Sequence, residues 1–173
     1  MPSGPLDAAA LAAQQNWELR GRVAVSAQGR SEQAKVRWRQ DGPLAAVELS
    51  GPWGMGAEQL RIAGEEVRLL SDGSWIPMCV EELSVDELEL LCASAPLGSL
   101  LFWLRGLPDP ALPHTEPPPV EGAARQFQQA GWLVSVSTLQ RSGDLAVPRR
   151  LDISGPGATM KVVITDWELS ASP

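Results

Sequence analysis

The side chains that most often carry catalysis are sparse in this sequence. His114 is the only histidine, and it lies in a proline-rich stretch without a cysteine or a second histidine beside it. Ser-His-Asp and Cys-His catalysis both need a histidine next to the nucleophile, and no Gly-x-Ser-x-Gly turn is present. We therefore interpret His114 as a surface residue, neither catalytic nor a metal ligand.

The cysteines and glycines do not indicate a metal, redox or nucleotide site. Cys79 and Cys92 lack C-x-x-C spacing, so two buried thiols are expected, and a disulfide between them would require an oxidising compartment. No phosphate-binding Gly-x-x-x-x-Gly-Lys-Ser/Thr loop occurs, and Gly51, Gly54 and Gly56 do not give the dinucleotide-binding spacing. The sequence predicts no enzyme, no cofactor and no metal.

The composition favours a β-rich protein that does not bind nucleic acid. The chain has 173 residues with 16 glycines and 15 prolines, which is typical of a fold with many turns. A net charge of -7 disfavours binding to a phosphate backbone or, unaided, to an anionic bilayer. We expect one domain over residues 17–169, a tail and short helix over 1–16, a proline-rich connector at 107–120 and a tail at 170–173.

The stretch Leu49–Gly56 combines a tight turn with two large apolar side chains. Glycine and proline occupy four of its eight positions. Turns between strands normally lie at the surface, so Trp53 and Met55 are predicted to project as an apolar prong that contacts a membrane or a partner. The alternative is that Trp53 folds back over the end of a hydrophobic core.

Alternating apolar and polar residues predict antiparallel strands along most of the chain. The alternation is clearest where apolar Ala34, Val36 and Trp38 are interleaved with basic Lys35, Arg37 and Arg39. Turn sequences such as Asp41-Gly42-Pro43 separate the strands at intervals of about eight to twelve residues. The expected architecture is a curved antiparallel sheet or barrel.

Three segments carry helical patterns. A short helix is predicted over Leu6–Gln15, and the capping box Ser84-Val85-Asp86-Glu87 predicts a second helix over Val85–Ala93. Its acidic residues are expected to form a solvated face rather than a docking patch. A third helix, Leu97–Arg105, is apolar nearly all round and therefore predicted to be buried, with Gly106 ending it.

The proline-rich connector is predicted to be extended. Six of the twelve residues from Pro108 to Pro119 are proline. Since proline has no backbone N–H, we expect this segment to make no sheet hydrogen bonds.

Seven short motifs between Trp17 and Trp167 are informative through their order and spacing. They are Trp17-Glu18-Leu19-Arg20-Gly21-Arg22, Val36-Arg37-Trp38, Leu49-Ser50-Gly51-Pro52-Trp53-Gly54, Trp103-Leu104-Arg105-Gly106-Leu107-Pro108, Gln129-Ala130-Gly131-Trp132, Val147-Pro148-Arg149-Arg150-Leu151 and Val162-Val163-Ile164-Thr165-Asp166-Trp167. This series resembles the LolB family, whose members accept lipoproteins from the periplasmic carrier LolA and insert them into the outer membrane.

The resemblance implies a mainly β fold: an incomplete, half-open antiparallel β-barrel with a helical lid over a hydrophobic cavity, as in LolA and LolB. It implies that Pro52, Trp53, Gly54 and Met55 form a membrane-insertion loop. The residue at the tip of this loop is usually aliphatic in the family, and the indole here is expected to favour the headgroup boundary.

We assign the expected sites from the alternation of the strands together with this resemblance. Acyl chains would occupy a cavity lined by Val36, Trp38, Val47, Leu49, Leu60, Ile62, Leu101 and Trp103. The carrier would dock on the basic strand face of Lys35, Arg37 and Arg39. Transfer would need no nucleotide.

The resemblance also implies partners and a location. The partners would be a LolA-like carrier, lipoproteins and the inner leaflet of the outer membrane, with the protein acting as a monomer on the periplasmic face. Family members are anchored through an acylated N-terminal cysteine. Residues 1–15 contain none, so this chain is expected to lack the anchor and the signal peptide.

Two alternatives remain open. A soluble periplasmic lipid or lipoprotein carrier of the LolA or lipocalin kind would need the cavity but no prong. In a purely structural interpretation, the cavity is filled by the protein's own side chains and no acyl chain binds.

Overall fold

The computed structural model describes residues 8–27, 29–51, 57–63, 66–78, 97–118, 121–155 and 157–169. The predicted prong at Pro52, Trp53, Gly54 and Met55 lies outside the described residues. So do the predicted helix at Val85–Ala93 and both cysteines, Cys79 and Cys92.

Strands dominate the part of the chain that the structure describes. Two short helices are present, α1 (Ala8–Ala12) and α2 (Leu97–Trp103). The strands are β1 (Asn16–Ala27), β2 (Arg30–Asp41), β3 (Leu44–Ser50), β4 (Ala57–Ala63), β5 (Glu66–Ser71), β6 (Ser74–Met78), β7 (His114–Thr115), β8 (Arg125–Gln129), β9 (Trp132–Ser142), β10 (Leu145–Gly155) and β11 (Ala158–Leu169).

These strands form one antiparallel sheet in the order β6-β5-β4-β3-β2-β1-β11-β10-β9-β8-β7. Within β1–β6 and within β7–β11 each strand pairs with its neighbour in sequence, and β1 pairs with β11 to bring the two halves together. Among the described strands, β6 and β7 are the edges, so the sheet is open rather than closed. The predicted fold class, a mainly β protein with a half-open antiparallel sheet, is confirmed.

The sheet bends where β1 meets β11. The pairing register shifts between Arg20 and Gly21, which is the signature of a β-bulge. A Cβ atom at Gly21 would lie 2.1 Å from the carbonyl oxygen of Val163. Only glycine allows this close approach of two backbones, and a β-bulge of this kind bends the strand that contains it.

Helix α2 ends two residues earlier than predicted. Gly106 adopts a φ of 77°, the left-handed conformation that glycine accepts at a helix C-terminus. The amide of Gly106 donates to Trp103 O at 2.8 Å, and the amide of Leu107 donates to Phe102 O at 3.0 Å. This Schellman-type pattern explains why Gly106 ends the helix, as the sequence indicated.

The prediction that the connector makes no sheet hydrogen bonds is wrong. Strand β7 lies inside it, and His114 and Thr115 pair with Gln129 and Gln128 of β8. These two residues keep the backbone N–H groups that the surrounding prolines lack, so a short ladder can form. The side chain of His114 is exposed, as expected.

Candidate functional site

One face of the sheet, here called the inner face, carries aligned rows of apolar side chains. Trp38 of β2 pairs with Val47 of β3, which pairs with Leu60 of β4. Val36 pairs with Leu49 one row along. Because alternate residues of a strand share a face, these side chains form a continuous apolar wall.

This wall and the α2 segment line a small, partly open apolar hollow of about 40 Å³. It is lined by Leu19, Val23, Val36, Trp38, Val47, Leu49, Leu60, Ile62, Leu100, Leu104, Met160 and Val162. A space of roughly 10–15 Å³ holds one water molecule, so the hollow is far smaller than an acyl chain. In this structure the hollow is therefore largely filled by the protein's own side chains.

Six of the eight residues predicted to line a cavity lie in this lining: Val36, Trp38, Val47, Leu49, Leu60 and Ile62. The structure places Leu101 and Trp103 outside it, and Leu100 together with Leu104 supplies the helical wall instead. Residues four apart share one side of a helix, whereas Leu101 and Trp103 point elsewhere.

Trp103, the last residue of α2, is fully buried and is held by a glutamine. Its indole Nε1 donates to Gln129 Oε1 at 2.8 Å, and its ring centroid lies 6.4 Å from that of Trp132. Gln129 Oε1 also accepts from the amide of Asp109, while Gln129 Nε2 donates to the carbonyls of Asp109 and Leu112. Gln129 thus ties α2 and the connector to β8.

Arg105 connects the end of the α2 segment to the N-terminal segment. Its Nε donates to Leu101 O at 3.0 Å, and its Nη1 donates to Leu11 O at 2.9 Å and to Gln14 O at 3.0 Å. Only 4% of the residue is exposed, and burial lowers the pKa of its guanidinium to about 10. Within the described residues it forms no ion pair with a carboxylate.

Sequence reasoning missed the roles of Gln129 and Arg105. Both occur in motifs that the sequence analysis singled out, but polar residues are normally placed at the surface. The available signal was their position beside Trp132 and Trp103, where a long polar side chain has nearby buried groups to satisfy.

A cluster of three indoles lies next to Arg105. The ring of Trp17 stacks on Trp38 with centroids 6.3 Å apart, and Trp167 lies 5.4 Å from Trp17. Trp38 Nε1 donates to Gln40 Oε1 and Trp167 Nε1 donates to Pro148 O, both at 2.8 Å. The guanidinium carbon of Arg105 lies 5.6 Å from the Trp17 ring centroid.

Comparisons with known proteins agree with this geometry. The family model described as "Outer membrane lipoprotein LolB" matches residues 15–167. An outer-membrane lipoprotein LolB from Alkalilimnicola ehrlichii is 34% identical over 167 residues, which cover 92% of this chain and 80% of that protein. A protein of the same name from Halorhodospira halophila is 30% identical over 161 residues, which cover 90% and 76%. The chain belongs to the LolB family.

A solved structure shows the same fold. The LolA superfamily protein from Nitrosomonas europaea superposes with a TM-score of 0.56 at 8% identity, covering 93% of this chain and 89% of that one. Membership in the LolB family, together with this fold, supports a role in lipoprotein localisation to the outer membrane. The LolB family consists of transport proteins, so the prediction that the chain is not an enzyme is confirmed.

The basic residues proposed for carrier docking lie on the outer face of the sheet, opposite the hollow. Lys35, Arg37 and Arg39 alternate with residues of the inner wall and are exposed. Arg37 Nε donates to Glu18 Oε1 at 2.6 Å, and Arg39 Nε lies 3.6 Å from Glu18 Oε2. Arg20 is the third cation beside this carboxylate, at 3.5 Å.

Glu18 is a largely buried acid on this basic face. Its burial would raise the pKa, but the hydrogen bond from Arg37 and the charges of Arg37, Arg39 and Arg20 outweigh that effect. The pKa of Glu18 therefore lies below its ordinary value. The carboxylates of Glu48 and Glu168 also act on Arg37, so this face carries closely spaced charges of both signs.

The described residues fix only the base of the predicted prong. Ser50 at the end of β3 pairs with Ala57 at the start of β4. The segment that contains Trp53 and Met55 therefore joins two neighbouring strands that belong to the wall of the hollow.

No metal site or membrane-spanning helix is found in the part of the chain that the structure describes. Among the described residues, no three His, Cys, Asp or Glu side chains are placed so that they could hold a metal ion. Among the same residues, no helix has both the length and the apolar character needed to cross a bilayer.

Proposed function

We propose that this protein receives the acyl chains of lipoproteins from a LolA-like periplasmic carrier and inserts those lipoproteins into the outer membrane. The observation that carries the proposal is the hollow beneath α2, whose twelve lining residues are all apolar. Such a lining gives no hydrogen bonds to a polar ligand but favours a hydrocarbon chain, since each buried methylene contributes about 0.8 kcal/mol.

Loading requires the hollow to widen. The space of about 40 Å³ does not hold an acyl chain, and Leu100 of α2 and Leu104, which follows α2, form one wall of it. The opposite walls belong to a hydrogen-bonded sheet, whose displacement would break several ladders. Helix α2 is therefore the element that must withdraw, and it acts as a lid.

The direction of lipoprotein transfer would follow from differences in affinity for the acyl chains rather than from nucleotide hydrolysis. Acyl chains would pass from a weaker carrier to this hollow and then to the bilayer, whose large capacity makes the last step downhill. Release would occur at the prong, where Trp53 and Met55 would disturb the headgroup layer. This mechanism places a monomeric protein at the periplasmic face of the outer membrane.

Carrier docking is proposed for the basic strand face of Lys35, Arg37 and Arg39. Because these side chains lie opposite the hollow, we expect them to attract and hold an acidic carrier rather than to touch the acyl chain. Arg20, Arg37 and Arg39, which gather around Glu18, would supply cationic groups for this contact.

The prong can be tested with an acidic substitution and a matched control. We expect Trp53→Glu to bind a fluorescent fatty acid normally but to deliver a lipoprotein to liposomes at least tenfold more slowly, because a carboxylate resists entering the bilayer. The control is Leu44→Glu, since Leu44 is 57% exposed and lies at the far end of β3 from the prong. Its delivery rate should match the parent.

Each result has a distinct meaning. A parental delivery rate for Trp53→Glu would show that the prong is not the insertion device. A parent protein that binds acyl probes but delivers nothing would instead be a soluble carrier. Absence of acyl binding would refute the role of the hollow itself.

A further inference from the structure

Trp17 contains a buried hydrogen-bond donor without an acceptor. Only 2% of the residue is exposed, and within the described residues nothing accepts a hydrogen bond from its indole Nε1. The two neighbouring indoles differ, because Trp38 Nε1 donates to Gln40 and Trp167 Nε1 donates to Pro148. Leaving a buried N–H unpaired costs free energy, so this donor requires an explanation.

A second donor group lies beside it and already binds carbonyl oxygens. The guanidinium of Arg105 lies 5.6 Å from the Trp17 ring, and its three hydrogen bonds go to the backbone carbonyls of Leu101, Leu11 and Gln14. No carboxylate in the described part of the chain pairs with it. This corner of the fold therefore recognises neutral carbonyl acceptors.

The two donors have neighbours that line the apolar hollow. Leu104, which precedes Arg105, lines the hollow, and so does Leu19, two residues after Trp17 on the same face of β1. Trp38 lines it as well and stacks on Trp17. The buried donors of Trp17 and Arg105 thus lie beside residues of the lining, although neither residue is part of the lining itself.

Withdrawal of the lid would change what Arg105 can bind. Arg105 follows α2 by two residues, whereas two of its acceptors, Leu11 and Gln14, belong to the N-terminal segment. A movement that takes Leu100 and Leu104 out of the hollow would strain or break these two hydrogen bonds. Buried N–H groups would then need new acceptors at the same moment that a ligand arrives.

We propose that Trp17 and Arg105 form a carbonyl-binding subsite at the end of the hollow, which takes the ester or amide carbonyl oxygen of an acylated ligand. An acyl chain, by definition, ends in such a carbonyl, so one ligand satisfies both the apolar wall and the donors. This inference rests on the proposed function, because it assumes that acyl chains enter the hollow.

The test compares two lipids that differ in one carbonyl. A monoacylglycerol and the alkyl ether of glycerol with the same chain length are used to displace a fluorescent fatty acid from the protein. One net hydrogen bond corresponds to a few-fold to tenfold difference in affinity, and we expect the ester to bind tighter by that factor.

Three variants test which residues cause the tighter binding of the ester. Trp17→Phe keeps a ring but removes the unpaired N–H, and the ester should lose its advantage while the ether binds as before. Arg105→Lys, which keeps the charge but changes the donor geometry, should reduce the advantage as well. The control is Trp167→Phe, which removes an indole N–H that already has an acceptor within the protein, and it should retain the full preference.

The outcomes separate the subsite from the proposed function. Equal binding of ester and ether to the parent, or a full ester preference in Trp17→Phe, would overturn the subsite while leaving acyl binding intact. Displacement by neither lipid would overturn the proposed function, and the subsite with it.

Discussion

Replacing Leu100 by alanine tests whether this residue belongs to a movable lid or to the permanent core. Leu100 is 3% exposed and lines the hollow from α2. Buried Leu→Ala substitutions cost about 2–5 kcal/mol of folding stability, because contacts are lost and a cavity remains. If α2 leaves the hollow when an acyl chain enters, this cost falls on the unloaded form and is largely absent from the loaded form.

The substitution should therefore strengthen acyl binding while weakening the fold. Each 1.4 kcal/mol that the unloaded form loses relative to the loaded form raises the apparent affinity tenfold. We expect Leu100→Ala to bind a fluorescent fatty acid at least tenfold more tightly and to unfold at lower urea concentration. Fluorescence titration and urea denaturation measure the two effects separately.

Leu151→Ala is the matched control. Leu151 is 1% exposed, lies on β10 and is not part of the hollow lining. The same chemical change should lower stability by a similar amount and leave the affinity for the fatty acid unchanged. If Leu100→Ala binds no more tightly than Leu151→Ala, the conclusion that α2 withdraws from the hollow is refuted.

Three further predictions follow from single contacts. Gln129→Leu should lower the free energy of unfolding by roughly 2–5 kcal/mol, since it removes the partner of buried donors and acceptors around α2. Glu18→Gln should lower the free energy of unfolding at neutral pH. It should also make the loss of stability in acid less steep than in the parent. The ionised Glu18 carboxylate stabilises the fold fully above its ordinary pKa of 4.5. This stabilisation is lost as the pH falls through its lower folded-state pKa. Reversal of the three basic docking residues to glutamate should slow lipoprotein transfer from the carrier about tenfold at low salt. These residues are Lys35, Arg37 and Arg39.

The measurements and controls for these predictions are specific. Urea denaturation of Gln129→Leu is compared with Gln128→Leu, whose exposed side chain should be replaceable at little cost, and equal losses would contradict the anchoring role. For Glu18→Gln, unfolding is measured from pH 7 down to pH 3, and a decline as steep as that of the parent would refute the assignment. For the charge reversal, a transfer rate that neither falls nor changes its salt dependence would count against docking on this face.

The sequence by itself determined most of the strands, though not β7, and the identity of the apolar wall. Alternation at period two set which side chains of β2, β3 and β4 share a face, and Val36, Trp38, Val47 and Leu60 were found from it. These assignments depend only on neighbours along the chain and on turn residues such as Gly42. Local rules are sufficient there because a strand has just two faces.

Helix α2 shows where local rules fail. Its sequence is apolar on nearly every side, so the pattern does not indicate which side faces the hollow. Burial of Trp103 against Trp132 and its hydrogen bond to Gln129 set the rotation of the helix, and this turns Leu100 and Leu104 inward. These partners lie on strands that are distant in sequence.

The placement of charged groups also depends on the tertiary structure. The net charge of -7 describes the chain but not its surfaces, because the sheet gathers Arg20, Arg37 and Arg39 around one carboxylate. The buried donors of Trp17 and Arg105 were likewise invisible before folding brought β1 next to the end of the α2 segment. Composition and period determine which residues face the core, whereas hydrogen-bond partners and the size of the hollow depend on contacts between distant segments, which only tertiary packing decides.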